Sequence, residues 1–379
     1  MNTLLKSFFS ALVILSLSIS VHAIPVPDAP QIKGSGHLLI DFDSGHIISE
    51  SNSNDRLEPA SITKLMTAHV IFNEIDAGNL RLDDEVMVSE KAWKTPGSRM
   101  FIEVGKKVSV ENLLKGMIIQ SGNDASVALA EHIAGSESVF ASVMNAQAQK
   151  LGMTSTNFVN ATGMPDPDHY TTASDIAKVA MATIRKHPEF YKWYSVKSFK
   201  YNNIEQQNRN RLLWRDKDVD GMKTGHTESA GYCLVASAKK DEMRLISVVM
   251  GTDSDKQRSA ESMKLLNYGF RFFETHKLYS ANEALSQAKV WKGASDQLSV
   301  GLTDDLFITI PRNQYKNLNA SMHLNLPLQA PIDKGQVVGE VRITLNGEDI
   351  SRKPLTALMD ITEGGLVSRT IDSLMMMLE

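Results

Sequence analysis

Apolar residues recur at helical spacing after position 61. Leu65, Met66, His69, Phe72 and Ile75 share one face, Pro59 stands just ahead, and Gly78-Asn79 closes the run. That pattern predicts a helix over 61–77. Further apolar helices are predicted over 125–133 and 139–151, and a capping pattern, Thr172-Ala173-Ser174-Asp175, opens another over 176–185. Elsewhere the period is that of strands. Residues 37–48 read as two short strands about a turn at Asp43-Ser44-Gly45, and 219–222, 232–238 and 243–250 alternate or run apolar. A helix over 259–273 follows. Strands on either side of a helical middle make this first region α/β or α+β.

From about His276 the pattern changes. Short strands over 306–310, 322–326 and 337–343 are punctuated by Pro311, Pro327, Pro331 and Gly347, which predicts a small all-β domain. The tail, 366–379, is helical again, with Val367, Ile371, Leu374, Met375 and Leu378 on one face and Met376 and Met377 widening it. Such a helix either lies in a membrane surface or packs on its own domain; only Arg369 within it is basic.

Composition narrows the destination more than the fold. The 379 residues are 42% hydrophobic with a formal net charge of −4, enough chain for two domains with real cores and without the basic excess of a nucleic-acid binder. At the N-terminus, Lys6 precedes an apolar run over 11–19 and then Val21-His22-Ala23. This is the layout of a secretory signal cleaved after Ala23, and the apolar run is short beside the roughly 20 residues of a membrane span. An uncleaved anchor is the alternative. The single cysteine, Cys233, excludes a disulfide within the chain and lies in an apolar strand-like run, as a buried, inert thiol would.

Candidate chemistry begins at Ser61-Ile62-Thr63-Lys64. A serine hydroxyl is a weak nucleophile until a base takes its proton. Here the two side chains lie one helical turn apart on one face, and an apolar helix would desolvate Lys64 toward its neutral, basic form. Alone the motif is weak: Ser237 to Lys240 and Ser286 to Lys289 match it too, and an N-cap serine beside a solvated lysine is the plainer reading. Ser121-Gly122-Asn123 stands just before a helix, where a hydroxyl and an amide could relay a proton and hold a substrate amide, or merely cap a turn. Lys223-Thr224-Gly225 occurs once, followed by His226. On an edge strand, Lys223 and Thr224 could bind a carboxylate while Gly225 allows close approach. The order of the three motifs decides between these readings, because it is the order shared by penicillin-binding proteins and class A β-lactamases, with Gly122 where that pattern has aspartate.

The chain resembles the low-molecular-mass penicillin-binding proteins that are serine-type D-alanyl-D-alanine carboxypeptidases. The resemblance runs through Leu57-Glu58-Pro59-Ala60-Ser61-Ile62-Thr63-Lys64-Leu65-Met66-Thr67, Ser121-Gly122-Asn123-Asp124-Ala125, Asn208-Arg209-Asn210-Arg211-Leu212-Leu213-Trp214, Val219 to Thr227 and Asn267 to Glu274, and covers nearly the whole mature chain. It implies a transpeptidase-like catalytic domain with an antiparallel sheet over 24–275, after a signal over 1–23. A β-sandwich domain over 276–365 and an amphipathic membrane-associating helix over 366–379 would complete the chain. It implies that Ser61 attacks the penultimate D-alanine carbonyl of a peptidoglycan pentapeptide stem and that Lys64 is general base. Ser121 would pass a proton to the leaving amine, and Asn123 would hold the substrate amide. Lys223, Thr224, Gly225 and His226 would line the carboxylate side, with Arg258 contributing. Backbone N–H groups of Ser61 and His226 would form the oxyanion hole. No metal or cofactor is implied. β-Lactams would acylate Ser61, and the protein would act in cell-wall remodelling from the periplasm, held on the outer face of the inner membrane by its tail. Two departures stand out: Ser126 occupies a position where related enzymes can carry cysteine, and 88–105, which borders the site, is shorter than in the best-known members.

A β-lactamase would need a water-activating acid, and no Glu-x-x-x-Asn segment lies between Ser121 and Lys223. An endopeptidase of this kind usually lacks the second domain. A non-enzymatic scaffold has no need of the intact Ser-x-x-Lys.

Overall fold

The turn expected at Asp43-Ser44-Gly45 joins strands Gly36–Asp41 and Ile47–Ser51, and Asp41 shapes it by accepting the N–H groups of Asp43 and Ser44 at 3.1 and 2.8 Å. The computed structural model describes residues 26–378; the expected leader over 1–23 lies outside them. These two strands form one side of a five-stranded antiparallel sheet, in the order Ile47–Ser51, Gly36–Asp41, Met243–Thr252, Gly231–Lys240, Val219–Thr227. Both faces of the sheet are covered, so its central strands are apolar at successive positions. Leu38, Ile246 and Val248 enter one core, whereas Leu39, Leu245 and Val249 enter another with Leu265 and Leu266 of helix Asp255–Phe272. The larger core holds helices Lys64–Asp76, Asn123–Ala134, Glu137–Lys150 and Ala173–Lys186.

Helix boundaries differ from the expectation where polar first turns masked them. Ser254 caps Asp255–Phe272 by accepting the N–H of Gln257 at 3.2 Å, so the helix starts well before Ser259. Ser136 does the same for Glu137–Lys150. Thr172, expected as a cap, accepts the N–H of Asp175 at 3.1 Å. The helix expected over 61–77 divides: Ala60–Thr63 is a 3₁₀ turn and the α-helix starts at Lys64. Every residue from Lys64 to Phe72 is buried, which makes this a core helix rather than an amphipathic one.

The second domain is all-β. Phe273–Tyr279 pairs with Leu306–Pro311, and a six-stranded sheet runs in the order Leu318–Leu324, Val337–Leu345, Glu348–Ala357, Gln297–Gly301, Ser286–Trp291, Leu328–Gln329. The two sheets share one core, including Val300, Ile308, Val341 and Leu355. Across the domain boundary Thr275 donates to Asp41 at 2.7 Å, and the hydroxyls of Ser44 and Thr309 meet at 2.6 Å. The tail forms helix Leu366–Met375, whose polar side is tied down by Lys292 N–H to Asp372 and by the Arg369–Glu363 pair. Its apolar face is not packed on the domain: Leu366, Val367, Ile371 and Leu374 are 53–82% exposed. Among the described residues no helix is long and apolar enough to cross a membrane.

Candidate active site

Ser61 lies in the 3₁₀ turn that precedes the buried helix, partly exposed while Ala60, Ile62, Thr63 and Lys64 around it are buried. Two glycines let this turn sit where it does. A Cβ on Gly163, whose φ is +82°, would lie 1.8 Å from the Ala60 carbonyl oxygen; one on Gly225 would lie 2.9 Å from that of Pro59 and 3.1 Å from the amide nitrogen of Ile62. The glycine of the Lys-Thr-Gly motif therefore lets the serine-bearing turn close against the edge strand, a neighbour that sequence reasoning did not supply.

Lys64 is 1% exposed. Its Nζ stands 3.0 Å from Ser61 Oγ, 2.7 Å from Asn123 Oδ1 and 2.6 Å from the Thr162 carbonyl oxygen. Burial lowers its pKa to about 7, against the opposing pull of Asp124 and Glu137. A neutral amine has two N–H donors and one lone pair. With the Asn123 and Thr162 oxygens taking the donors, the lone pair is left for the Ser61 hydroxyl, which is the arrangement a general base requires.

Ser121 follows the helical turn Gly116–Gln120 in a left-handed conformation, φ +68°, and receives an N–H of Lys223 on its Oγ at 2.8 Å. Asn123 opens the next helix. Its Nδ2 donates to the Pro96 carbonyl at 2.7 Å, and its backbone N–H to that of Ser98 at 2.7 Å, so the segment over 88–105 borders the site. Both ends of the Asn123 side chain thus have partners within the protein. Asp124 beside it accepts the N–H groups of Met100, Phe101 and Ile102. Ser126 is buried and donates to the Gly122 carbonyl at 2.8 Å, tying the loop to its helix.

Lys223, Thr224 and Gly225 lie within the edge strand Val219–Thr227, not in an exposed turn. Lys223 also donates to the Thr224 carbonyl at 3.0 Å; burial, with Lys64, Arg258 and Arg209 adding repulsion, holds it well below the ordinary lysine range. His226 is exposed and stacks on Tyr232 at 3.9 Å between centroids. Arg258 donates to the Gly225 carbonyl at 2.8 Å and pairs with Asp255. His226, Tyr232, Asp255 and Arg258 line a cavity of about 900 Å³ with Gln120 and Arg209, which adjoins the Lys-Thr-Gly strand at His226. The structure thus gathers Ser61, Lys64 and Asn123 into one cluster, and Ser121, Lys223 and Thr224 into a second that faces it. The rival Ser237 is buried in a strand and holds Arg244, Ser286 belongs to the second domain, and burial pushes the Cys233 thiol up to about 11. Among the described residues no group of three or more His, Cys, Asp or Glu side chains is placed to hold a metal ion.

A serine one turn from a buried lysine, with a Lys-Thr-Gly edge strand across from it on an antiparallel sheet flanked by helices, defines the class of penicillin-binding serine acyl-transfer enzymes. Residues 24–254 match the D-alanyl-D-alanine carboxypeptidase family and residues 273–363 the penicillin-binding protein 5 C-terminal domain. The chain belongs to the D-alanyl-D-alanine carboxypeptidase family. It is 44% identical to D-alanyl-D-alanine carboxypeptidase DacC of Escherichia coli strain K12, over 92% of this chain and 89% of that one. The structure of penicillin-binding protein 5 from Haemophilus influenzae superposes with a TM-score of 0.87 at 43% identity, over 89% of this chain and all of that one. Penicillin-binding protein D2 from Listeria monocytogenes, in an ampicillin-bound form, matches 64% of this chain and 100% of its own at 27% identity and TM-score 0.60. The activity is that of a serine-type carboxypeptidase removing the terminal D-alanine of peptidoglycan stems, in cell-wall remodelling.

Proposed function

We propose that Ser61 is the nucleophile of this reaction and Lys64 its general base. Ser61 Oγ attacks the carbonyl of the penultimate D-alanine as its proton passes to Lys64 Nζ, and backbone N–H groups of Ser61 and His226 receive the oxyanion. Ser121, hydrogen-bonded to Lys223, delivers its hydroxyl proton to the leaving amine, and the proton that Lys64 took from Ser61 replaces it. Terminal D-alanine departs and water hydrolyses the Ser61 ester. Asn123 serves as acceptor for Lys64 and, by exchanging the weak contact of its Nδ2 with Met164 Sδ at 3.7 Å, as a contact for the substrate amide. Lys223, Thr224, Gly225, His226 and Arg258 form the carboxylate side. The observation that carries the reading is the 3.0 Å contact between Lys64 Nζ and Ser61 Oγ, with carbonyl oxygens as the amine's other two partners.

β-Lactams acylate the same serine as substrate mimics, a reading supported by the ampicillin-bound Listeria relative. A leader over 1–23 precedes a catalytic unit expected over 24–275, whose last three residues belong to strand Phe273–Tyr279 of the β domain, so the β domain runs from 273 to 365 and the tail over 366–379. The exposed apolar face of the tail supports a peripheral membrane anchor, and the secretory leader read from the sequence supports a periplasmic enzyme held on the outer face of the inner membrane. The test is incubation with a pentapeptide muropeptide and its cross-linked dimer, followed by mass analysis. Loss of one alanine by the wild type, and none by Ser61→Ala, is the expected result. Cleaved dimers would make the enzyme an endopeptidase, and turnover by Ser61→Ala would overturn the nucleophile.

A further inference from the structure

His169 is 2% exposed and joins two segments of the site, beside the contacts that Lys64 and Thr67 make with the carbonyls of Thr162 and Ala161. Its Nδ1 accepts the backbone N–H of Val159 at 3.1 Å. That bond leaves Nδ1 without a proton and fixes the neutral tautomer with the proton on Nε2, which donates to Thr63 Oγ1 at 2.8 Å. Thr63 belongs to the 3₁₀ turn that carries Ser61 and immediately precedes Lys64. Val159 begins the loop that ends in Thr162 and Gly163. The Thr162 carbonyl receives an N–H of Lys64, and Gly163 packs without a side chain against Ala60. Within the loop, Asn160 Oδ1 accepts the N–H groups of Thr162, Gly163 and Met164, so a displacement at Val159 is passed on to Thr162. Phe158 packs edge-on against the imidazole at 5.7 Å.

We propose that His169 is a positioning residue of the acylation step: by bridging Val159 to Thr63 it holds the Thr162 carbonyl and the Ser61 turn in register, so that the Lys64 lone pair stays aimed at Ser61. The proposal rests on Ser61 and Lys64 acting as nucleophile and base. His169 itself stays neutral in the working range, because burial lowers its pKa to about 4 against the pull of Asp166 and with the repulsion of Lys64. It takes no part in proton transfer.

Two conservative variants separate its contacts. In His169→Gln the side-chain nitrogen can occupy the place of Nε2 and still donate to Thr63, whereas in His169→Asn the amide oxygen can occupy the place of Nδ1 and accept from Val159 while Thr63 loses its donor. The measurement is the rate of acylation by a fluorescent penicillin from pH 5 to 9, with thermal melting of each variant and Ser61→Ala as control. In wild type the rate should rise through an acid limb near 7, set by Lys64 among Asp124, Glu137, Lys223 and neutral His169. We expect His169→Asn to acylate about tenfold more slowly on the plateau, because a misaimed base is a less effective one. Its acid limb should move up by about one pH unit, because water reaching Lys64 relieves the burial that depresses its pKa. His169→Gln keeps the Thr63 contact but breaks the same bridge at Val159, and it should show the same two changes, slower acylation and a raised acid limb. A residue that served stability alone would lower the melting temperature and leave the limb where it was. Loss in both variants with an unmoved limb overturns the proposal, as does a wild-type rate in either. Labelling of Ser61→Ala would instead overturn the underlying reading of the nucleophile, whatever the His169 variants do.

Discussion

Replacing Lys64 by methionine should abolish acylation and make the protein more stable. The ordinary lysine pKa of 10.5 and the buried value of about 7 imply that ordering Lys64 in the core costs about 4–5 kcal/mol at pH 7, compared with a side chain that has no proton to lose. Methionine has a similar reach and no such cost. It leaves Asn123 Oδ1 and the Thr162 carbonyl without their N–H partners, at about 1–2 kcal/mol each. The balance is a gain of about 1–2 kcal/mol, which for a domain of this size is a rise of a few degrees in melting temperature, roughly 2–4 °C per kcal/mol.

The sign with pH is the sharper test. Between about 7 and 10.5 the unfolded chain holds a proton that folded Lys64 has released, so the wild type gains stability as pH rises through this window. By pH 9 the cost of burying Lys64 has fallen to about 2 kcal/mol, and the advantage of Lys64→Met should have vanished or reversed. The assay is urea unfolding of both proteins followed by tryptophan fluorescence at several values between pH 6 and 9. A methionine variant less stable than wild type at pH 6, or a difference that does not change with pH, would refute a lysine buried in its neutral form.

Gly225→Ala should fold and yet acylate at least about tenfold more slowly, since its Cβ would meet Pro59, Ala60 and Ile62 and push the Ser61 turn outward; a wild-type rate with a fluorescent penicillin would refute the packing role. A chain ending before Leu366 should cleave a soluble peptide as the full chain does, yet remain in the supernatant when centrifuged with lipid vesicles that carry the full chain down. Co-sedimentation of the shortened chain would remove the anchor.

The three motifs were legible because each rests on side-chain types at fixed spacing. The support beneath them was not. Thr162 acts through a backbone carbonyl, which leaves no mark on residue type, and it reaches Lys64 across 98 positions of sequence. Asp124 sits inside a recognised stretch, but nothing local says that its carboxylate gathers three N–H groups from 100–102. The 3₁₀ turn at Ala60–Thr63 escaped because helical periodicity continues across it; the turn is imposed by close packing against Gly163 and Gly225. In the β domain, Glu348–Ala357 was missed for the opposite reason. Its first seven residues are exposed or half-exposed and include Glu348, Asp349, Arg352 and Lys353, so the strand lacks the apolar alternation that marked its neighbours.

The two buried lysines divide their work through their surroundings. Both are desolvated, and the partners of both are hydroxyl or carbonyl oxygens rather than carboxylates. Lys64 feels the negative charges of Asp124 and Glu137, which keep its pKa near 7, whereas the charged neighbours acting on Lys223 are all positive: Lys64, Arg258 and Arg209. No carboxylate among the described residues is a charged neighbour acting on Lys223, since Asp255 on the same side is paired with Arg258 and Arg211. A peptide ending in a free carboxylate brings one. It should raise the proton affinity of Lys223 most, because that lysine has most repulsion to offset, and a protonated Lys223 is the better hydrogen-bond donor to Ser121. Binding should then take up protons in the pH range over which the ligand-free Lys223 titrates. Titration calorimetry of a D-alanyl-D-alanine-ended peptide into Ser61→Ala, in buffers of different ionisation enthalpy, measures that uptake directly. The expected result is a positive uptake that is lost when the peptide carboxylate is amidated. Equal heats in all buffers, or uptake that survives amidation, would refute a charge on Lys223 that follows the peptide carboxylate.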